Sequence, residues 1–220
     1  MTIPSLMSRI ISRVYGRVSN ERFRRMLRKW VSTMEGGCTV SSTVRELYRK
    51  FHGIEVGPYT AGPFGIKPQY LHRGTSFGRY VDVAATVRTF TRHHPRDRRS
   101  THGLFYNPEL GWASGSRSSH NSLRIGHGVH LGENVIILHP AAEIGIGAIV
   151  AAGSVVYTDI PPYARASGNP AVVTGYRYDK ATIARLLESR WWEADPEALA
   201  RGWPHAISED MEARTAQPAA

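Results

Sequence analysis

The chain has 220 residues, 41% of them hydrophobic and 21% charged, a balance that supports one well-packed main domain. No run approaches eighteen apolar residues and the N-terminus lacks the apolar stretch of a secretory signal, so a spanning helix is excluded and a cytoplasmic location is expected. The single cysteine, Cys38, excludes an internal disulfide framework and reads as a small buried hydrophobe.

The charge is unevenly placed. In residues 1–34, eight cations (Arg9, Arg13, Arg17, Arg22, Arg24, Arg25, Arg28 and Lys29) stand against Glu21 alone, so this segment supplies +7 of the net +10. Ile3, Met7, Ile10, Val14 and Val18, then Phe23, Met26, Trp30 and Met34, fall at helical spacing, with Ser19 and Asn20 as a break and N-cap. Residues 1–47 thus read as a basic amphipathic helical extension. Its apolar faces either pack on the rest of the chain or a neighbouring subunit, or rest on an anionic membrane surface, giving a peripheral inner-membrane contact through residues 1–34. An Arg- and Ser-rich, acid-poor start is also the composition of organelle transit peptides. No interleaving of aromatic and basic residues follows, so nucleic acid is not an expected partner.

From about Tyr48 a looser rhythm begins with Leu71, Phe77 and Val83, and it becomes strict at Ile125, Leu131, Ile137, Ile144, Val150 and Val156. Gly or Ala follows Ile125, Leu131, Ile144 and Val150. A period near six fits neither a 3.6-residue helix nor an alternating strand; it fits a solenoid whose short strands turn a corner at each repeat. Three repeats make one triangular coil of about eighteen residues, stacked on the next at roughly 4.8 Å. Ile125 and Ile144 should sit one coil apart, with Leu138-His139-Pro140 as a bulge at a corner.

Between roughly Arg88 and Leu123 the rhythm stops and His93, His94, Asp97, His102, Trp112 and His120 appear. A solenoid accepts an insertion best as a loop leaving one corner, and functional groups favour loops held on rigid scaffold, so chemistry is expected in this 88–123 loop. After Val156, Pro161-Pro162 should end the coil, since prolines remove ladder donors. Gly168-Asn169-Pro170-Ala171 reads as a turn into a final short strand. Asp179 caps a helix carrying Ile183, Leu186, Leu187 and Trp191, whose apolar face should cover the open coil end. Asp195-Pro196 starts one more short helix. The division is then 48–175 for the solenoid domain, 176–207 for a helical cap and 208–220 for a disordered tail.

This order of motifs, with Ile160-Pro161-Pro162-Tyr163-Ala164, Gly168-Asn169-Pro170-Ala171, Tyr176-Arg177-Tyr178-Asp179 and Arg190-Trp191-Trp192 in its tail, resembles the hexapeptide-repeat acyltransferases. The likeness runs from about Tyr48 to Glu193 and points to the branch of xenobiotic (chloramphenicol and streptogramin) acetyltransferases and polysaccharide O-acetyltransferases. The resemblance implies a mainly β fold, a left-handed parallel β-helix, assembled as a homotrimer with active sites between subunits. It implies acetyl-CoA as cosubstrate and no metal. His93-His94-Pro95-Arg96-Asp97 matches the family motif in which a loop histidine is the general base, which places that role on His94; Ser100-Thr101-His102 and Phe105-Tyr106-Asn107 match as well. For the donor the resemblance points to Ala152, Gly153, Thr158, Asn169 and Arg177. Asp97, Tyr106 and Trp112 are acceptor-site candidates, with a surface ion pair for Asp97 and core packing for the two aromatics as the other readings. The chain departs from the family at Tyr157-Thr158 and Val172, where two phosphate-binding charges are missing, and at His130, where a tryptophan is usual. Arg165 or Arg177 is the replacement on offer.

A sugar or drug hydroxyl is almost never ionised at neutral pH. It attacks a thioester only if its proton is taken as the bond forms, a task for which imidazole is poised. His93 either lowers the pKa of His94 or faces solvent. His102 and His120 read as structural, and Trp191-Trp192 as hydrophobic cover. The sequence therefore points to an O-acetyltransferase acting on a sugar of a surface polysaccharide or its lipid-linked precursor. A xenobiotic acceptor or a noncatalytic trimeric scaffold are the alternatives. A zinc enzyme like the γ-class carbonic anhydrases needs a His-x-x-x-x-His pair, and His94, His102, His120, His127, His130 and His139 contain no such spacing.

Overall fold

A computed structural model of the chain describes residues 6–90, 99–105, 110 and 122–202. Helices α1 (Leu6–Arg17) and α2 (Glu21–Met34) form where the spacing predicts, and Asn20 caps α2 by accepting from the backbone N–H of Arg22 at 2.9 Å and of Phe23 at 3.4 Å. Their inward face is not the one that the apolar pattern picks out. Ile11, Tyr15, Arg28 and Val31 are buried, while Ile10, Val14, Phe23, Met26, Trp30 and Met34 are exposed.

The reason is a satisfied polar cluster. Arg28 pairs with Glu21 at 2.7 Å, donates to the Tyr15 hydroxyl, and lies 5.8 and 5.6 Å from the ring centres of Tyr15 and Tyr48. Having accepted from Arg28, the Tyr15 hydroxyl has its own proton to donate to His52 Nε2, 2.8 Å away, which makes His52 a neutral acceptor at that nitrogen. Hydropathy spacing does not count an arginine as core, so the apolar stripe is not the face that packs on the rest of the chain.

Burial, reinforced by the Arg28 charge, lowers the His52 pKa from 6.5 to about 4. Between those values the unfolded chain binds a proton that the folded chain does not. Stability from this group is therefore complete above the unfolded pKa and is lost as pH falls through the window. Thermal melts from pH 7.5 to 4 should show a falling Tm, and His52→Gln should flatten the part of that decline due to His52. An unchanged slope in the variant would refute the assignment.

A third helix, α3 (Ser42–Leu47), is capped by Ser41, whose hydroxyl accepts from Val44 N at 3.2 Å. The Glu35 carboxylate braces this turn, accepting from Ser41 Oγ at 2.6 Å, from Thr43 N at 3.1 Å and from Thr43 Oγ1. Burial pushes that carboxyl up, yet the three hydrogen bonds hold it below the usual carboxylate value. Cys38 is only partly buried, against the expectation of full burial, because it sits in the turn before α3. A single π-helical turn, Tyr48–His52, leads to Gly53 in the left-handed region and into the solenoid.

The solenoid strands are β1 (Glu55–Val56), β2 (Thr75–Phe77), β3 (Asp82–Val83), β4 (Arg88–Phe90), β5 (Leu123–Ile125), β6 (His130–Leu131), β7 (Ile136–Leu138), β8 (Glu143–Ile144), β9 (Ile149–Val150), β10 (Val155–Val156), β11 (Ala164–Gly168) and β12 (Ala171–Tyr176). They form three sheets, ordered β1-β2-β5-β8, β3-β6-β9-β11-β12 and β4-β7-β10. From β2 to β10, successive strands step from sheet to sheet and return to the first after three, and the Ile160 bridge to Ile144 takes the next place before β11 joins β9, so the coil is three-sided and its ladders are parallel; only β11–β12 is antiparallel.

The register stacks the six predicted aliphatic residues. Phe77, Ile125 and Ile144 lie one above another, with Ile160 bridged to Ile144; Val83, Leu131, Val150 and Ala166 fill the second side. Thr89, Ile137 and Val156 fill the third. All are buried. The core is thus a column of aliphatic side chains, and the helical segment continues it, since Ile11, Tyr15, Val31 and Val44 belong to the same cluster. Small residues are required where coils touch at corners: a Cβ on Gly132 would lie 2.6 Å from Ala152 N, and one on Gly145 would lie 2.4 Å from Pro162 N. The seven-residue step falls at a corner as expected, where His139 N donates to Phe90 O at 3.0 Å.

Two sequence-based boundaries move. The ladder does not stop at Arg88: β4 pairs with β7, and Thr89 takes the inward place because its hydroxyl accepts from His72 N at 2.7 Å and meets the Thr75 hydroxyl at 3.4 Å. Nor does the coil end at Pro161-Pro162. Gly145 N donates to Ile160 O and Tyr163 N to Ile146 O, both at 2.7 Å, and β11 pairs with β9, so the prolines occupy a corner where no ladder donor is needed.

Residues 179–202 belong to a second compact unit. Asp179 caps α4 (Lys180–Glu188) by accepting from Thr182 N at 2.8 Å, as its position predicts. Trp191 and Trp192 follow edge to face with centroids 6.0 Å apart, and α5 (Pro196–Gly202) begins after Asp195.

Candidate active site

Each turn of the coil presents three corners, and the expected site residues divide among them. The first corner, after the β2-β5-β8 sheet, carries Gly126-His127, Gly145-Ile146 and Pro161-Pro162-Tyr163. His127 Nδ1 accepts from Arg79 N at 2.9 Å, which puts its proton on Nε2 and ties two coils together. The second, after β3-β6-β9, carries Gly132-Glu133-Asn134 and Ala151-Ala152-Gly153. The third, after β4-β7-β10, carries His139-Pro140 and Thr158-Asp159.

The loop containing His94 leaves from this third corner. Its two ends are fixed: Phe90 closes β4 against β7, and Leu123 opens β5 against β2. His94, Asp97, Tyr106 and Trp112 lie outside the described residues, as do His93 and His120. Within the loop, residues 99–105 are described: His102 N donates to Ser100 Oγ at 3.2 Å, Leu104 N to His102 Nδ1 at 3.3 Å, and Leu104 and Phe105 are exposed. Both contacts are local to this exposed turn. Asp159 holds the same corner by accepting from the backbone N–H of Ala142 at 2.7 Å and Glu143 at 2.9 Å.

Of the residues expected at the donor, Ala152, Gly153 and Asn169 come to one edge. Ala152 and Gly153 are exposed at the second corner, where Gly153 N donates to Glu133 O at 2.7 Å and a Cβ added to Gly153 would touch nothing within 4 Å. Asn169 tips the β11–β12 hairpin above them, and Gly168 N donates to Ser154 Oγ at 3.3 Å. Thr158 is exposed at the third corner instead. Arg177 stands at the first: its Nη1 donates to Gly147 O at 2.7 Å, its backbone N donates to Tyr163 O at 2.9 Å, and its guanidinium lies 5.5 and 5.2 Å from the rings of Tyr163 and Tyr178. That set of contacts clamps the last coil.

Arg165 is different. It is exposed on the outward face of β11, in the ladder Asp82, His130, Ile149 and Arg165, and its neighbour on β12 is Gly175, whose missing side chain leaves the guanidinium uncovered. His130 Nδ1 meets Asp82 Oδ2 in this ladder at 3.0 Å. The sequence has no signal for such a row, since its members are neighbours only through coil register. Among the described residues no cluster of His, Cys, Asp and Glu is arranged to hold a metal. Cavities of about 500 and 350 Å³ lie at the helical end, lined by residues such as Glu21, His52, Gln69 and Lys67, and include none of the expected site residues.

A three-sided parallel coil that emits one long histidine-bearing loop from a corner defines the hexapeptide-repeat class of proteins. No family model matches the chain. The chain is similar to a chloramphenicol acetyltransferase of Agrobacterium fabrum, 32% identical over 142 residues that cover 63% of this chain and 67% of that protein. It is similar also to one of Klebsiella aerogenes, 28% identical over 139 residues, covering 62% and 66%. A solved maltose O-acetyltransferase of Clostridium difficile 630 aligns over 80% of this chain and 87% of its own, at 20% identity and a TM-score of 0.42. The chain belongs to the hexapeptide-repeat acyltransferases, in the branch that contains the chloramphenicol acetyltransferases, and by family it is an acetyl-CoA-dependent acetyltransferase.

Proposed function

We propose that the chain is an O-acetyltransferase in which His94 is the general base. The observation that carries this reading is the anchoring of the 88–123 loop at both ends in the buried ladder, which gives an imidazole on it a fixed base from which to work. In this mechanism His94 takes the acceptor's hydroxyl proton as the oxygen attacks the thioester carbonyl, then returns it to the departing CoA thiolate. No acyl-enzyme forms. Backbone N–H groups near the coil stabilise the oxyanion. Asp97, Tyr106 and Trp112 line the acceptor side. The pantetheine arm runs past Ala152 and Gly153, where small exposed residues allow close approach, with Asn169 toward the nucleotide. The coil is left-handed and the active unit is a homotrimer with sites between subunits, which light scattering would read as about three times the 24.5 kDa chain mass.

The acceptor is a sugar hydroxyl of a surface polysaccharide or its lipid-linked precursor. The names of the relatives favour a second reading, a xenobiotic hydroxyl such as that of chloramphenicol. One thiol-release assay with acetyl-CoA, run against sugar acceptors and chloramphenicol in parallel, separates them by kcat/KM. Acetyl-CoA turnover with neither class would overturn both.

For the donor phosphates we assign Arg165, whose guanidinium has no ion pair or hydrogen bond among the described residues, ahead of Arg177. Arg165→Ala should raise KM for acetyl-CoA about tenfold with Tm unchanged, whereas Arg177→Ala should lower Tm by loosening the last coil. A larger KM effect at Arg177 with an unchanged Tm would reverse the assignment.

A further inference from the structure

We infer that the outer faces of α1 and α2 dock on an anionic lipid bilayer, a role separate from acetyl transfer. At about 100° per residue, Phe23, Met26, Trp30 and Met34 form one stripe along α2, and Arg22, Arg25 and Lys29 form a second stripe beside it, on the flank away from Val31. The apolar stripe is 40 to 55% exposed, although large apolar side chains concentrated on one helix face of a monomer are uncommon without a partner. Helix α1 repeats the arrangement with Ile10 and Val14 exposed beside Arg13 and Arg17.

Charge selects the occupant. The one acid in residues 1–34 is Glu21, and it is engaged by Arg28 at 2.7 Å; among the described residues, Arg13, Arg17, Arg22, Arg25 and Lys29 form no ion pair. A second copy meeting this face about a two-fold axis would set one cationic stripe against another. An anionic headgroup layer complements it, each cation near such a surface strengthening binding about fivefold, while Phe23, Met26 and Trp30 enter the acyl boundary. No described helix is long and apolar enough to cross a membrane, so the helices would lie on the surface. A cavity of about 350 Å³ opens beside the stripe, lined by Arg22, Arg25, Arg28 and Lys67 together with Glu21, whose carboxylate is engaged by Arg28, and provides room for a headgroup phosphate.

Co-sedimentation of the full chain with vesicles tests this. Vesicles of 30% phosphatidylglycerol in phosphatidylcholine should bind it, and pure phosphatidylcholine vesicles should bind at least about a hundredfold less. Both Met26→Glu/Trp30→Glu and the milder Arg22→Gln/Arg25→Gln/Lys29→Gln should abolish binding, with circular dichroism and acetyl-CoA turnover in solution retained. No binding to the anionic vesicles, equal binding to both compositions, or oligomer dissociation by Met26→Glu/Trp30→Glu without an effect on vesicle binding would each overturn the proposal. The last outcome would mark the face as a contact between copies.

Discussion

Replacing His94 by alanine should slow acetyl transfer by at least about a hundredfold while leaving acetyl-CoA binding intact. Positioned base catalysis contributes roughly 10² to 10⁴ in rate, and an alcohol attacks a thioester usefully only if its proton is taken within the transition state. The donor, by contrast, is assigned to the coil corner at Ala152 and Gly153 and to Asn169 and Arg165, none of which belongs to the loop. A split result is therefore expected: kcat collapses in the thiol-release assay, and the dissociation constant for acetyl-CoA measured by titration calorimetry stays where it was. Near-normal turnover would remove His94 from the mechanism, and loss of both activities would mean that the substitution acts through the loop's structure.

The second large effect concerns the column. Ile144 is fully buried, with Ile125 below it and Ile160 bridged above it, so Ile144→Ala leaves a cavity that backbone ladders on both sides prevent from closing. A loss of about 2–5 kcal/mol is expected in urea denaturation. Its neighbour Glu143 supplies the control, being an outward residue whose Arg124 partner is 3.9 Å away on an exposed surface; Glu143→Ala should change stability by no more than about 0.5 kcal/mol. Comparable losses at the two positions would mean that the inward column does not dominate the fold.

That contrast also shows why so much of the coil could be read from the chain alone. Each corner repeats the same steric demand, an aliphatic side chain inward and a small residue where the next coil touches, so the six-residue period survives as a visible pattern. Where the demand is met by a hydrogen bond the pattern fails. Thr89 is as inward as Ile137, but its burial rests on the His72 amide, and hydropathy carries no trace of that bond. The prolines misled for a related reason: Pro161-Pro162 looks incompatible with a ladder, yet at a corner the missing donors are not required.

The helical segment gave a harder test. Spacing located both helices and the Asn20 cap but left open which face packs inward, which is settled by Arg28, buried through Glu21, Tyr15 and Tyr48, contributed by three different elements. Since Ile11, Tyr15 and Val31 join the main core, these helices are part of the folded body as well as a surface.

For the site, His94 and the donor residues were nominated by the resemblance of their motifs to the acyltransferase family, and the chemistry of hydroxyl deprotonation agrees with a histidine in that place. Their grouping was not legible. Ala152, Gly153 and Asn169 share an edge, while Thr158 and Arg177 stand at the other two corners, and Arg165 is bare only because Gly175 lies across from it in the hairpin. The sequence by itself determined the three-sided coil and its inward residues, because a repeated local steric requirement leaves a period that one strand can show. Which cations are clamped, which are free and which helix face meets solvent was decided by the tertiary structure, because those outcomes depend on pairings between residues that only coil stacking and helix packing bring together.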